Sequence, residues 1–125
     1  MSTSPIAPVS RAANITLWIL QGLLCAGFLI AGGMKLASHP MQVENFDKIG
    51  LGQWFRYFTG VIEIACAITV LVPRLAWIAA SLLVGVMIGA LTAHLTKLGI
   101  DPGVAAPPIL AIMAFTVARG RRPVR

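Results

Sequence analysis

A chain of 125 residues suffices for one compact domain, and 58% of its residues are hydrophobic against 11% charged. A water-soluble fold of this length needs far more polar surface, so composition excludes that class and points to an integral membrane protein. The net charge of +6 does not indicate nucleic acid, because Arg119, Arg121, Arg122 and Arg125 directly follow an apolar run with no interleaved aromatics, as a juxtamembrane anchor facing anionic lipid would.

Residues 1–14 are polar, with Pro5, Pro8 and Arg11, and are expected to form a flexible arm. The first span is expected over residues 15–36. Its arm is weakly charged and its apolar stretch exceeds a signal-peptide core, which favours a retained helix over a cleaved leader. A loop follows over residues 37–52, where Pro40 can start a short amphipathic helix with Met41, Phe46 and Ile49 dipping toward the membrane surface. The second span, residues 53–72, closes at Pro73-Arg74, and the third is expected over residues 75–95. A loop with Lys97, Asp101 and Pro102 leads to a short fourth span over residues 103–118. Pro107 and Pro108 belong in or near its first turn, where missing N–H donors cost least. Residues 119–125 form a basic tail. The expected fold is an all-α bundle of four transmembrane helices.

An even number of spans puts both termini on one side, together with Arg11, Arg74 and the four C-terminal arginines. Lys35, Lys48, Arg56 and Lys97 fall on the other side, with Glu44, Asp47 and Asp101. The positive-inside rule then makes both termini cytoplasmic.

The polar residues inside the spans are the chemical candidates. Glu63 stands in the apolar run "GVIEIACAITVL" of residues 60–71, and an unpaired carboxylate there is expensive to bury. Lys35, Arg56 and His94 fall near the outer ends of their spans, so three cations would ring a mouth above one carboxylate, as a ligand or ion-pair site. Gln21, Cys25, Phe28, Gly32 and Lys35 share one helical stripe, and Arg56, Gly60, Glu63 and Ala67 share another. Stripes mixing polar and small residues belong at helix–helix contacts, which assigns Gly32 and Gly60 to packing. Ile19, Leu23, Ile30, Phe58 and Ile62 are left to face lipid. Gly85 and Gly89 form a G-x-x-x-G on the third span, for close packing inside the bundle or between protomers.

With span ends set level, Lys35 and Glu63 differ in depth by ~13 Å, at or beyond their joint reach, and Arg56 is the other candidate partner. Cys25 and Cys66 fall in apolar runs about 6 Å apart in height, which argues against a disulfide. No Cys or His spacing suits a metal.

The segment Phe28-Leu-Ile-Ala-Gly-Gly-Met-Lys-Leu36 resembles the F-x-x-x-G-x-x-K-L signature of the DoxX and DoxX-like membrane family. The segment Thr59 to Leu71 resembles its second-helix G-x-x-E-x-x-x-A-x-x-L-L signature, with Val70 in place of the first leucine. Pro73-Arg74 and the "MIGA" before His94 also agree, so the likeness runs from about Trp18 to Leu95. The resemblance implies a four-helix bacterial inner-membrane protein with Gly32, Lys35, Gly60 and Glu63 as family-pattern positions. Relatives include a subunit of a thiosulfate:quinone oxidoreductase, and most members have no assigned activity.

The leading expectation is an accessory subunit of a quinone- or thiol-linked membrane redox system. No resident cofactor is evident, quinone is the candidate ligand, and the partners are the lipid bilayer and a membrane redox protein or a second copy. Two alternatives stand beside it. One is a small proton-coupled transporter; small multidrug resistance proteins also carry one membrane glutamate, but on their first helix. The other is a structural scaffold in which Glu63 only ties helices together.

Overall fold

The structure is a computed structural model that describes residues 10–123. Those residues form five α-helices with two short turns of other helical type and no strand: α1 (Arg11–Leu36), α2 (Pro40–Ile49), α3 (Gln53–Thr69), α4 (Ala76–Ala93) and α5 (Ala106–Gly120). A π-helical turn (His94–Leu98) prolongs α4, and a 3₁₀ turn (Pro102–Ala105) leads into α5.

The helix ends follow from local chemistry. Ser10 accepts a hydrogen bond from the Ala13 N–H at 3.1 Å, so α1 begins at Arg11, inside the segment expected to be a loose arm. Residues 1–9 of that arm, and Arg125 of the basic tail, lie outside the described residues. Pro40 opens α2 behind a His39 cap, and Gly50 ends it in the left-handed conformation at φ 83°. Asp101 caps the 3₁₀ turn by accepting from Gly103 N–H at 2.8 Å. Pro107 and Pro108 do fall in the first turn of α5.

The four long helices close into a ring in the order α1, α3, α4, α5, with α1/α3 and α4/α5 the most extensive seams. Leu24, Phe28, Ala67, Val70, Ala80, Leu83, Ala114 and Val117 fill the centre. The outer surface is the reverse of a soluble protein's, with Ile19, Leu23, Ile30, Ile88, Ile112 and Phe115 all exposed. Ile62, expected on that face, is instead partly buried against the core, and Val61 and Ile68 take the outward positions.

Among the described residues, three helical segments are long and apolar enough to cross a membrane: Arg11–Leu36, Ala76–Leu98 and Pro102–Gly120. With 17 residues, α3 reaches about 26 Å, somewhat less than a hydrocarbon core of about 30 Å. The apolar turn Val70–Val72 continues past its end, where a regular helix had been expected.

Hydroxyl groups are handled as an apolar medium requires. Thr16, Thr59, Thr69, Ser81, Thr92, Thr96 and Thr116 each donate to the carbonyl four residues back, at 2.6–3.0 Å. No serine or threonine within α1, α3, α4, the π turn or α5 is left to seek an external partner. Aromatics mark both ends of the bundle: Trp54 and Tyr57 are exposed at the start of α3, while Trp18 and Trp77 lie near the opposite end.

The short α2 does not dip outward along its apolar face. Phe46 is buried against Phe55 of α3, with ring centroids 5.8 Å apart, so α2 sits as a cap over one end of the bundle. Met41 alone of the three expected residues is well exposed. A tilted ring contact with Phe55 of α3 offers Phe46 a burial that a shallow surface position would not.

Candidate functional site

The site is built where α1 and α3 cross. A Cβ added to Gly32 would lie 2.9 Å from the Gly60 carbonyl oxygen and 2.7 Å from Ile64 Cγ1, and one on Gly60 would lie 3.1 Å from the Gly32 oxygen. Backbone therefore meets backbone, and no side chain larger than hydrogen fits without movement at either position. The same position beside Gly32 is 3.3 Å from Glu63 Cβ, which sets Glu63 at the level of Gly32.

That register decides the ion pair. Gly60 and Glu63 are seven and ten residues into α3, but Gly32, which meets both, is only four from the end of α1, so α3 starts roughly one to two turns higher than level span ends would place it. Lys35 then stands roughly 5–9 Å above Glu63 by the helical rise, and each side chain leans toward its own helix N-terminus, hence toward the other. Lys35 Nζ lies 2.8 Å from Glu63 Oε1, with side-chain exposures of 12% and 1%. The ~13 Å separation came from treating the span ends as level, and the Gly32–Gly60 crossing brings it within the joint reach of the two side chains. Glu63 Oε1 receives no hydrogen bond besides this ion pair.

Arg56 does not share the carboxylate. Its guanidinium donates to the Lys35 backbone oxygen, and its Nε donates to Gln53 Oε1 at 2.7 Å. It also lies 4.2 Å from the Tyr57 ring centroid. Gln53 Nε2 in turn donates to the Val43 oxygen of α2 at 3.0 Å. The carbonyls of the last helical turn lack intrahelical partners and carry the negative end of the macrodipole, so a guanidinium is well matched to the end of α1. His94 belongs to another place. It opens the π turn beside Gly103, its Nδ1 is enclosed without a partner, and no hydrogen bond or ion pair joins it to Lys35 or Glu63.

The remaining candidates divide. Gly85 and Gly89 are exposed, with nothing within 4 Å of an added Cβ, so their stripe does not pack inside the bundle. Cys25 and Cys66 are unbridged, and Cys66 is a buried core residue. Among the described residues, no three His, Cys, Asp or Glu side chains converge as metal ligands would.

A second polar cluster, at the opposite end, was not anticipated. Gln21 is fully buried and donates from Nε2 to the Val70 oxygen, the carbonyl after α3, at 2.8 Å. Its Oε1 accepts from Arg121 Nε at 2.9 Å, and Arg121 also donates to Asn14 Oδ1 at 2.8 Å. Arg121 is only 4% exposed and lies 5.4 Å from the Trp18 ring centroid, so it is part of the fold and not of a free basic tail. Burial lowers its pKa from the ordinary value, yet a guanidinium starts far enough above neutrality to stay charged. Gln21 could have announced this cluster, since a lone amide on a packed stripe needs a partner. Nothing in the sequence singled out a partner one hundred residues away.

The DoxX-like family model matches residues 19–117. An uncharacterized protein, YdgD, of Bacillus subtilis (strain 168) is 37% identical over 84 residues, covering 63% of this chain and 74% of its own length. No solved structure matches. The match spans both the Gly32–Gly60 crossing and the Lys35–Glu63 pair, and the chain belongs to the DoxX-like family.

Proposed function

We propose that this protein is a small accessory subunit of a membrane redox system, set in the bacterial inner membrane with four spans and both termini cytoplasmic. The carrying observation is that the Lys35–Glu63 pair closes on itself inside the α1/α3 seam. A group that only ties helices together needs no electron carrier, and this role suits a subunit better than a stand-alone catalyst. The quinone- or thiol-linked setting rests on the family resemblance. The orientation rests on the arginines that crowd one end, and the fourth span on α3 with its apolar extension.

One observation favours a second reading, in which the pair also meets a ligand. Lys35 keeps a 12% exposed side chain at the α2 end, so an anion or a quinone oxygen could approach its ammonium while Glu63 supplies the counter-charge. Replacing both residues by apolar ones of similar size separates the two readings. Membranes carrying Lys35→Met with Glu63→Leu, in a strain whose own copy is deleted, are assayed for quinone-linked oxidation of thiosulfate or a small thiol. Retained activity at normal protein level supports the tie. Lost activity with the chain present at normal level supports the ligand site. A deletion strain with no oxidation defect would overturn the redox setting altogether.

A further inference from the structure

The end of the bundle opposite α2 carries an unusual imbalance. All four carboxylate side chains of the protein, Glu44, Asp47, Glu63 and Asp101, belong to the α2 half or its loops. Arg11, Arg74, Arg119, Arg121 and Arg122 gather at the other end with no carboxylate side chain to neutralise them. Arg121 is spent inside the fold on Gln21 and Asn14. Arg119 and Arg122 are exposed, and no ion pair among the described residues engages them.

Those two arginines stand at the head of two grooves. One, of about 720 Å³, runs between α1 and α5 and is walled by Ala13, Thr16, Leu17, Phe115 and Thr116. The other, of about 330 Å³, runs between α4 and α5 past Trp77, Ser81, Val84, Phe115 and Ala118. Arg119 and Arg122 line both, and the Arg119 guanidinium lies 5.9 Å from the Phe115 ring centroid on the ridge between them. The groove hydroxyls are already committed to backbone carbonyls, Thr16 to Ala12, Thr116 to Ile112 and Ser81 to Trp77. Among the described residues, what remains for an occupant is hydrocarbon along the walls and unneutralised positive charge at one end.

We propose that this face holds an anionic phospholipid, its phosphate between Arg119 and Arg122 and an acyl chain in the α1/α5 groove. The charge selects the headgroup, because basic pockets between helices at the membrane boundary attract acidic lipids. The groove's position selects a lipid over a soluble anion: it opens onto the same outward surface as Ile112 and Phe115, which are 67% and 55% exposed. Trp18 and Trp77 sit at the same end, the depth at which indole rings meet headgroups. This assignment is independent of the redox reading, since it requires only that the helices lie in a bilayer.

The test uses the full chain with Trp54→Phe, which removes the tryptophan of the far end, reconstituted in phosphatidylcholine vesicles. Dibrominated phosphatidylglycerol or dibrominated phosphatidylcholine is titrated in, and quenching of Trp18 and Trp77 is read. The expected result is preferential quenching by the glycerol lipid, falling roughly fivefold in relative affinity for each of Arg119→Gln and Arg122→Gln. Arg11→Gln with Arg74→Gln removes the same charge from the same end but outside the grooves, and is expected to leave most of the preference in place. Thr116→Trp, which fills the larger groove, is expected to weaken binding with both arginines present, read by retention of phosphatidylglycerol in native mass spectrometry. The proposal is overturned by equal quenching from both lipids, or by a loss in the Arg11→Gln, Arg74→Gln double variant equal to that of Arg119→Gln combined with Arg122→Gln. Displacement of the lipid by an equal concentration of glycerol phosphate would also overturn it, as would lipid-free cross-linking of Thr116→Cys between two copies.

Discussion

Lys35 Nζ of α1 and Glu63 Oε1 of α3 lie 2.8 Å apart beside a crossing where two glycine backbones touch. The pair and the crossing are one device. Gly32 and Gly60 bring the helices close enough for a short-range contact, and the register they set puts ammonium and carboxylate at matching depth. Removing either half exposes the other to an unfavourable setting.

Lys35→Ala leaves Glu63 buried without its counter-charge. Loss of one partner of a buried pair costs roughly 3–5 kcal/mol, and the partial exposure of Lys35 favours the lower figure. Thermal unfolding in a mild detergent should show a clear drop. Lys35→Met with Glu63→Leu should recover most of it, because two well-packed apolar groups replace a desolvated pair. A double variant no more stable than Lys35→Ala would mean that the charges themselves hold the seam.

Glycine substitutions should differ sharply by position. Gly32→Ala must push Ile64 and the Gly60 backbone aside, at a cost of about 1–3 kcal/mol. Gly85→Ala meets nothing within 4 Å and should change the stability of the isolated chain by no more than about 0.5 kcal/mol. Side-by-side melts of the two variants check the contrast. Equal losses would contradict the outward placement of the α4 glycines.

Gln21→Leu removes both ends of a buried relay. The Val70 oxygen loses its donor and Arg121 loses an acceptor, so a loss of roughly 2 kcal/mol is expected, near the usual cost of orphaned buried groups. Hydrogen exchange should localise the effect to the α3–α4 turn and to the end of α5. Gln21→Glu, which keeps an acceptor for Arg121 but no donor for Val70, should disturb the α3–α4 turn more than the end of α5.

Arg56→Lys is not a conservative change. A single ammonium cannot serve the Lys35 carbonyl and Gln53 while lying over the Tyr57 ring, as the guanidinium does. Gln53 also holds α2 through Val43, so the cap should loosen. Limited proteolysis within residues 37–52 is expected to speed up several-fold. Unchanged cleavage would show that Phe46 packing alone holds α2 down.

The stripes on α1 and α3 were legible in the sequence because helical spacing alone places Gly32 over Lys35 and Gly60 over Glu63. The partner of Glu63 was not legible, since depth along two helices depends on where each begins, and an offset of one to two turns separates contact from isolation. The start of α1 moved by four residues on account of a single serine cap. The π turn after Ala93 left no composition signal, and the Gln21–Arg121 contact joins positions that only the closed ring brings together.

Carbonyls at the C-terminal ends of α1 and α3 are each held by a side chain of the other helix, Lys35 by Arg56 and Val70 by Gln21. With the glycine crossing between them, the two helices are pinned at three heights. A piston-like slide of α3 along α1 would have to break all three together, so this half of the molecule behaves as a rigid strut. Any working motion of the α4–α5 pair would therefore open the α1/α5 and α3/α4 seams at the α2 end, because at the other end Arg121 ties α5 to Gln21 and Asn14 of α1.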